Sequence, residues 1–234
     1  MNRDSTGLPG RRDPELAPLP RSFYDRAARR VARDLLGKVV LRRAHGHVLA
    51  GRIVEDEAYL GVNDPAAHAA AGRTARNHVL FGPPGHAYVY FIYGNHYCLN
   101  FSCEREGRAG SVLIRALEPL AGIEEMARLR GVNIDRWPAP AGVATVGSST
   151  PDLPRVLRLL TSGPGRLCQA MAITRARDNG KDVTVPGDLI VVDDGFRPPK
   201  IASTVRVGIT RAAAEPWRYI ISGNPYVSGK RAGQ

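Results

Sequence analysis

Residues Arg52 to Tyr59 read Arg-Ile-Val-Glu-Asp-Glu-Ala-Tyr and set three carboxylates beside an aromatic ring. On an extended strand alternate residues share a face, so Glu57 and Tyr59 point the same way. A carboxylate beside a ring suits a substrate with a flat face and a bond to be hydrolysed. Taken alone, the segment fits an acidic strand end facing solvent better. A second aromatic group follows. Tyr88 and Tyr90 share one face of a strand, Phe91 and Tyr93 the other, and Gly94-Asn95 places Tyr93 at a hairpin tip. An exposed ring on a turn is a means of prising base steps apart. Other chemistries lack their signatures. His68, His78, His86 and His96 stand eight to ten residues apart, unlike the tight ligand pairs of hydrolytic zinc sites, and no metal is expected. There is no GxSxG elbow, no phosphate loop and no GxGxxG.

The elements that must carry these residues mix helix and antiparallel strand. Ser22 to Asp25 has capping-box form, and Ala27, Ala28, Val31, Leu35 and Leu36 continue it as one helix ended by Gly37. Val39 to Leu41 and Val48 to Val54 are strand-like, with a turn at His45-Gly46. Asp64 to Ala71 reads as a short helix with Asp64 as its cap. Tyr88 to Tyr93, Tyr97 to Phe101 and Ser111 to Ala116 are strands, Leu120 to Leu129 a helix, and 131–154 a flexible Gly/Pro/Ser/Thr-rich insert. Leu157 to Leu160 and Leu167 to Ile173 are short helices; Leu189 to Val192, Thr204 to Ile209 and Trp217 to Ser222 close the chain as strands. With no alternating β-α rhythm, the expected fold is α+β: a single domain, residues 21–230, with a curved antiparallel sheet surrounded by helices and a disordered basic leader at 1–20.

Charge narrows the partners. A net charge of +11 and a pI near 10.1 favour a polyanion, and all but four of the basic residues are arginines, suited to bidentate phosphate contact. No apolar run approaches the ~20 residues of a membrane span, and the first twenty residues lack the apolar centre of a secretory signal. Cys98, Cys103 and Cys168 make a poor disulfide framework. The expected setting is cytoplasmic, on the nucleoid.

From Glu57-Ala58-Tyr59-Leu60-Gly61 onward the chain resembles a known family. That block, with Asp64 to His68, Gly72-Arg73-Thr74 and the following Arg76-Asn77, Phe81 to Gly85, Tyr88 to Tyr90, Ile92 to Gly94 and Tyr97 to Asn100, is similar to the alkyladenine (3-methyladenine) DNA glycosylases. Leu113 to Leu120, Gly163 to Ala170, Arg206 to Ile209 and Gly223 to Ser228 extend the likeness, in order, from about Leu35 to Ser228. The resemblance implies a fold like the C-terminal domain of methionyl-tRNA formyltransferase. It implies a monofunctional glycosylase, without cofactor, acting as a monomer on double-stranded DNA containing damaged purines and independent of membranes. By the same resemblance Glu57 activates the attacking water and Arg115 lies beside that water and a phosphate. The Val207 carbonyl contacts the water. Tyr59, His68 and Tyr90 wall a pocket for the flipped base, Asn100 discriminates at its floor, and Tyr93 fills the gap in the duplex. Asp56 stands where the family pattern has Thr, and Asn95-His96 replaces a more apolar pair.

Two rivals share parts of this pattern. One is a non-catalytic nucleic-acid-binding module of the same fold, which needs no Glu57, Arg115 and tyrosine cage together. The other is a metal-dependent nuclease using Glu55, Asp56 and Glu57, which consecutive strand residues cannot bring together without a bulge.

Overall fold

The computed structural model describes residues 17–134 and 153–229. Its centre is β2 (His47–Tyr59), a thirteen-residue strand that pairs antiparallel with β5 (Gly110–Ala121) along one edge. The other edge is shared. Its first half pairs with β1 (Val39–Ala44), and Glu55 to Glu57 pair with β8 (Arg218–Ile221). Beyond β5 lie β4 (His96–Cys103) and β3 (Ala87–Ile92); β6 (Leu189–Val192) flanks β1, and β7 (Ile201–Thr204) flanks β8. The eight strands form one open, antiparallel sheet. This is the expected α+β single domain.

Two of the three register shifts between β2 and β5, at Ile53/Glu55 and Glu55/Asp56, mark an irregularity at the start of the acidic segment. Such a bulge bends a strand and re-aims its side chains. Val54 and Ala58 face the main core, which also holds Val31, Leu35, Val112 and Ile114. The hairpins that frame the sheet close tightly. His45 and Gly46 have φ of 52° and 77°, and Tyr93 and Gly94 have 54° and 73°, the two consecutive positive values that match the twist of paired strands. The centre of the β3–β4 turn is therefore Tyr93-Gly94, not Gly94-Asn95.

Helices pack around the sheet: α1 (Arg21–Tyr24), α2 (Ala28–Leu35), α3 (Ile123–Arg130), α4 (Leu153–Thr161), α5 (Pro164–Ala170) and α6 (Arg175–Asp178). The single helix expected from Ser22 is two. The Tyr24 carbonyl, which a continuous helix would give to Ala28, accepts the Glu104 N–H at 3.0 Å, and the Ala28 N–H turns to the Glu104 carboxylate at 3.3 Å. Glu104 thus splits the ladder, and Ser22 caps nothing. The helix expected over Leu120 to Leu129 starts at Ile123, because β5 runs on to Ala121 and Gly122 turns the chain at φ 71°. Helix α6, which opens on the Thr174 hydroxyl accepting the Arg177 N–H, was not anticipated.

Leu19 is buried and donates its N–H to Val191 at 2.8 Å, so the ordered body includes Ala17 to Pro20 of the expected leader. Residues 1–16 of that leader and 135–152 of the expected insert lie outside the described residues. Among the described residues no helix is long and apolar enough to cross a membrane.

Candidate active site

A cavity of about 290 Å³ opens beside the C-terminal half of β2. At roughly 30 Å³ per liquid water it has room on the order of ten waters, suited to one flat heterocycle. Its lining includes Tyr59 from β2, His68, Tyr90 from β3, Asn100 from β4, Arg115 from β5 and Val207, with Tyr93 at the rim. Seven of the eight residues singled out from the sequence therefore share one cavity. The eighth, Glu57, is 0% exposed and lies directly behind Tyr59, Arg115 and Val207.

Two hydrogen bonds and an ion pair hold the Glu57 carboxylate. The Val207 N–H reaches Oε1 at 2.7 Å, Arg115 Nη1 lies 3.2 Å from the same oxygen, and the Tyr59 hydroxyl donates to Oε2 at 2.9 Å. A carboxylate has about four acceptor sites, so these two hydrogen bonds leave room for a further hydrogen. Burial pushes the Glu57 carboxyl above its ordinary range, against the pull of Arg115, the Val207 N–H and the Tyr59 hydroxyl.

Its neighbour on the same face is different. Glu55 is also fully buried, but it receives Arg115 Nε at 2.8 Å, Arg218 Nε at 2.7 Å, and both the N–H and hydroxyl of Ser228. Burial would lift its carboxyl, yet Arg115, Arg218 and the Ser228 N–H outweigh that and hold it low. Two carboxylates on one strand face are thus driven apart, which separates a fixed anion from a group able to take a proton. Glu55 also aims Arg115: it grips Nε, leaving Nη1 for Glu57. Asp56, on the opposite face, is fully buried and neither of its oxygens has a hydrogen-bond partner. Burial, then Glu55 and Glu57, raise its carboxyl well above the usual range. The three acids of the nuclease alternative do not converge, and no three His, Cys, Asp or Glu among the described residues form a metal-sized group.

The far wall stands on a satellite cluster of Ala69, Val79, Leu80, Tyr88 and Ala109. His68 packs edge-on to Tyr90 at 4.4 Å between centroids, and its Nδ1 meets the Tyr88 hydroxyl at 2.9 Å. Burial, then Arg76, lowers the His68 pKa, which favours the neutral ring. Buried Asn77 staples this wall, donating to the carbonyls of His68 and Gly72, both at 2.9 Å. Asn100 donates its amide N–H to the Tyr88 carbonyl at 3.2 Å. Tyr93 is 79% exposed at the hairpin tip.

Two segments depart from expectation for reasons that build the site. Asp64 heads no helix. It is buried, its carboxylate accepts the N–H groups of Leu60 and Ala66, and it pairs with Arg206; the chain forms a turn, then a single 3-10 turn at His68–Ala71. The strand expected over Thr204 to Ile209 stops at Thr204, because Arg206 turns in to Asp64 and the Val207 N–H turns to Glu57. Gly61, at φ 74°, lets the chain after Tyr59 pass the Arg108 carbonyl, which an added Cβ would strike at 2.2 Å. Asn77, Arg206 and the Val207 N–H were not singled out from the sequence, and Glu55 was considered only as an acid of the nuclease alternative. Their only linear signal was membership of the quoted blocks or of the acidic run.

The methylpurine-DNA glycosylase family matches residues 22–225. A protein of Koribacter versatilis named "Putative 3-methyladenine DNA glycosylase" is 57% identical over 218 residues, covering 93% of this chain and 96% of its own. Proteins of the same name from Methanocella arvoryzae and Carboxydothermus hydrogenoformans are 46% and 44% identical, covering 92% and 91% of this chain and 98% and 99% of theirs. With a match across nearly the whole folded body and the cavity just described, the chain belongs to the methylpurine-DNA glycosylase family.

Proposed function

We propose that this protein is a monofunctional DNA-repair glycosylase that flips alkylated or deaminated purines, of the 3-methyladenine, hypoxanthine and ethenoadenine class, out of double-stranded DNA. It hydrolyses their N-glycosidic bond and leaves an abasic site. The observation that carries the reading is the Glu57 carboxylate, buried behind the aromatic cavity with two hydrogen-bond donors, the Arg115 cation beside it and acceptor capacity to spare.

The chemistry follows from these groups. A water hydrogen-bonded to Glu57 attacks the sugar C1′, its proton passes to the carboxylate, and the glycosidic electron pair leaves with the base. Glu57 exposes no surface, so the water reaches it as Tyr59 or the Val207 loop gives way slightly. The transition state carries oxocarbenium character, which the carboxylate stabilises while taking the proton. Arg115 favours the ionised form of Glu57 against the effect of burial, and it sits at the cavity wall where a nucleotide phosphate would approach. The Val207 carbonyl provides a second contact for the water.

Tyr59 on one side and His68 with Tyr90 on the other sandwich the flipped base. A ring made cationic by alkylation is drawn to the tyrosine faces and departs readily. Asn100 sits at the floor and disfavours guanine's amino group. Tyr93 enters the stack in place of the base, with exposed Arg73 and Arg76 available to the phosphates. Flipping costs a few kcal/mol, least at a damaged pair, so selection begins at the duplex. Among the described residues no lysine lines the cavity, which leaves a Schiff-base pathway without a nucleophile there.

The test is base release from duplexes carrying hypoxanthine, ethenoadenine or methylated purines, with and without chelator, followed by alkali. Free base in the presence of chelator, with strand breaks only after alkali, is expected. Tight binding with no release from any lesion would return the protein to the non-catalytic class.

A further inference from the structure

The loop after β7 packs poorly for a segment so near a reactive group. Val205 and Val207 are 51% and 46% exposed, whereas Arg206 between them is 4% exposed. Arg206 reaches inward and forks onto Asp64, Nη1 to Oδ2 at 2.5 Å and Nη2 to Oδ1 at 3.0 Å, and Nη1 also donates to the Ala58 carbonyl at 3.1 Å. Its guanidinium lies 4.6 Å from the Tyr59 ring centre and 4.8 Å from that of Trp217. Arg206 does not line the cavity and Tyr59 does, so the cation backs Tyr59 on the side away from the base. The next residue places its N–H on Glu57.

We propose that Arg206 is a positioning residue that holds both hydrogen-bond donors on Glu57: the Val207 N–H, by pinning its loop, and the Tyr59 hydroxyl, by backing its ring. Through Asp64, which fastens Leu60 and Ala66, the same ion pair steadies the approach to His68 on the opposite wall. The role needs arginine. A lysine would hold one Asp64 oxygen and could not lie flat against two rings. The catalytic consequence rests on Glu57 being the base; the positioning itself does not.

The groups that face Glu57 are Glu55 and Tyr59 from its own strand, Arg115 from β5, Cys98 from β4, Arg218 opposite it on β8, and the Val207 N–H. Of these, Arg206 controls only Tyr59 and Val207. Losing their hydrogen bonds leaves burial less opposed, so Glu57 would take its proton at higher pH.

Two variants test this: Arg206→Lys, and the double variant Asp64→Asn/Arg206→Met, which removes both buried charges and orphans neither. Glu57 is followed by carbon-detected NMR titration of side-chain carboxyls, assigned through Glu57→Gln, beside the pH profile of single-turnover excision. The Glu57 midpoint should rise by about one unit, roughly tenfold in proton affinity for a lost hydrogen bond. The acidic limb of the profile should move with it. A folded variant whose Glu57 midpoint is unmoved would overturn the proposal. If the midpoint moves but Glu57→Gln still excises, the positioning stands and the base assignment fails.

Discussion

Glu57→Gln separates the chemistry from the scaffold, because the structure accommodates the amide in a single orientation. With its oxygen toward the Val207 N–H and Arg115, the new NH2 faces the Tyr59 hydroxyl, which turns from donor to acceptor. The reverse orientation sets donors against donors. Arg115 keeps Glu55, so no charge is orphaned. Losing the proton acceptor should slow single-turnover excision by about 100- to 10,000-fold. At 1.36 kcal/mol per tenfold, that is about 3–5 kcal/mol of barrier. Stability should move the other way. Burial raises the Glu57 carboxyl in the folded state, so stability is fully present below its unfolded value of 4.5 and is lost as pH rises through the higher folded value. The amide escapes that loss. The variant should therefore melt at or above wild type at neutral pH, about 2–4 °C higher per kcal/mol recovered, with the gap closing at acid pH. The assays are excision of hypoxanthine and ethenoadenine, affinity for a lesion duplex, and melting against pH. Undiminished turnover would refute the proposed role of Glu57. A melting point several degrees lower together with lost binding would make it a structural pillar instead.

Three other outcomes follow from the geometry. Wild-type excision should fall as pH drops through the folded Glu57 value, so the acidic limb of kcat/KM should lie above 4.5; a limb at or below that value contradicts the buried base. Tyr93→Ala should change stability by less than about 0.5 kcal/mol, since the ring is 79% exposed, while weakening base flipping. Normal fluorescence of a 2-aminopurine reporter in that variant would exclude the wedge. Asp56 has two buried oxygens without partners and a carboxyl raised well above 3.8, so its stabilising effect disappears as pH rises through that higher value. Asp56→Asn should flatten the decline in melting temperature toward neutral and basic pH, and an unchanged pH slope would mean the acid is satisfied in solution.

Much of the site was legible in the chain because a strand imposes strict alternation. Glu57 and Tyr59, two residues apart, had to share a face, and the Gly94 turn had to present Tyr93 at a tip. Linked short blocks then pointed to His68, Tyr90, Asn100, Arg115 and Val207, and the structure gathers all five around one cavity. Local pattern failed where distant groups took over backbone partners. Glu104 splits the first helix, 80 residues from the Tyr24 carbonyl it occupies. Arg206, 142 residues from Asp64, turns a presumed helix cap into an ion pair and ends a presumed strand. Two glutamates one residue apart looked alike in the sequence, yet only the fold makes Glu55 a doubly paired anchor and Glu57 a carboxyl raised by burial. The sequence alone determined which side chains exist and which face of a strand they share, since backbone periodicity is local. Burial and opposite charge decide the acidity of a carboxylate, and both come from residues brought together only by tertiary structure.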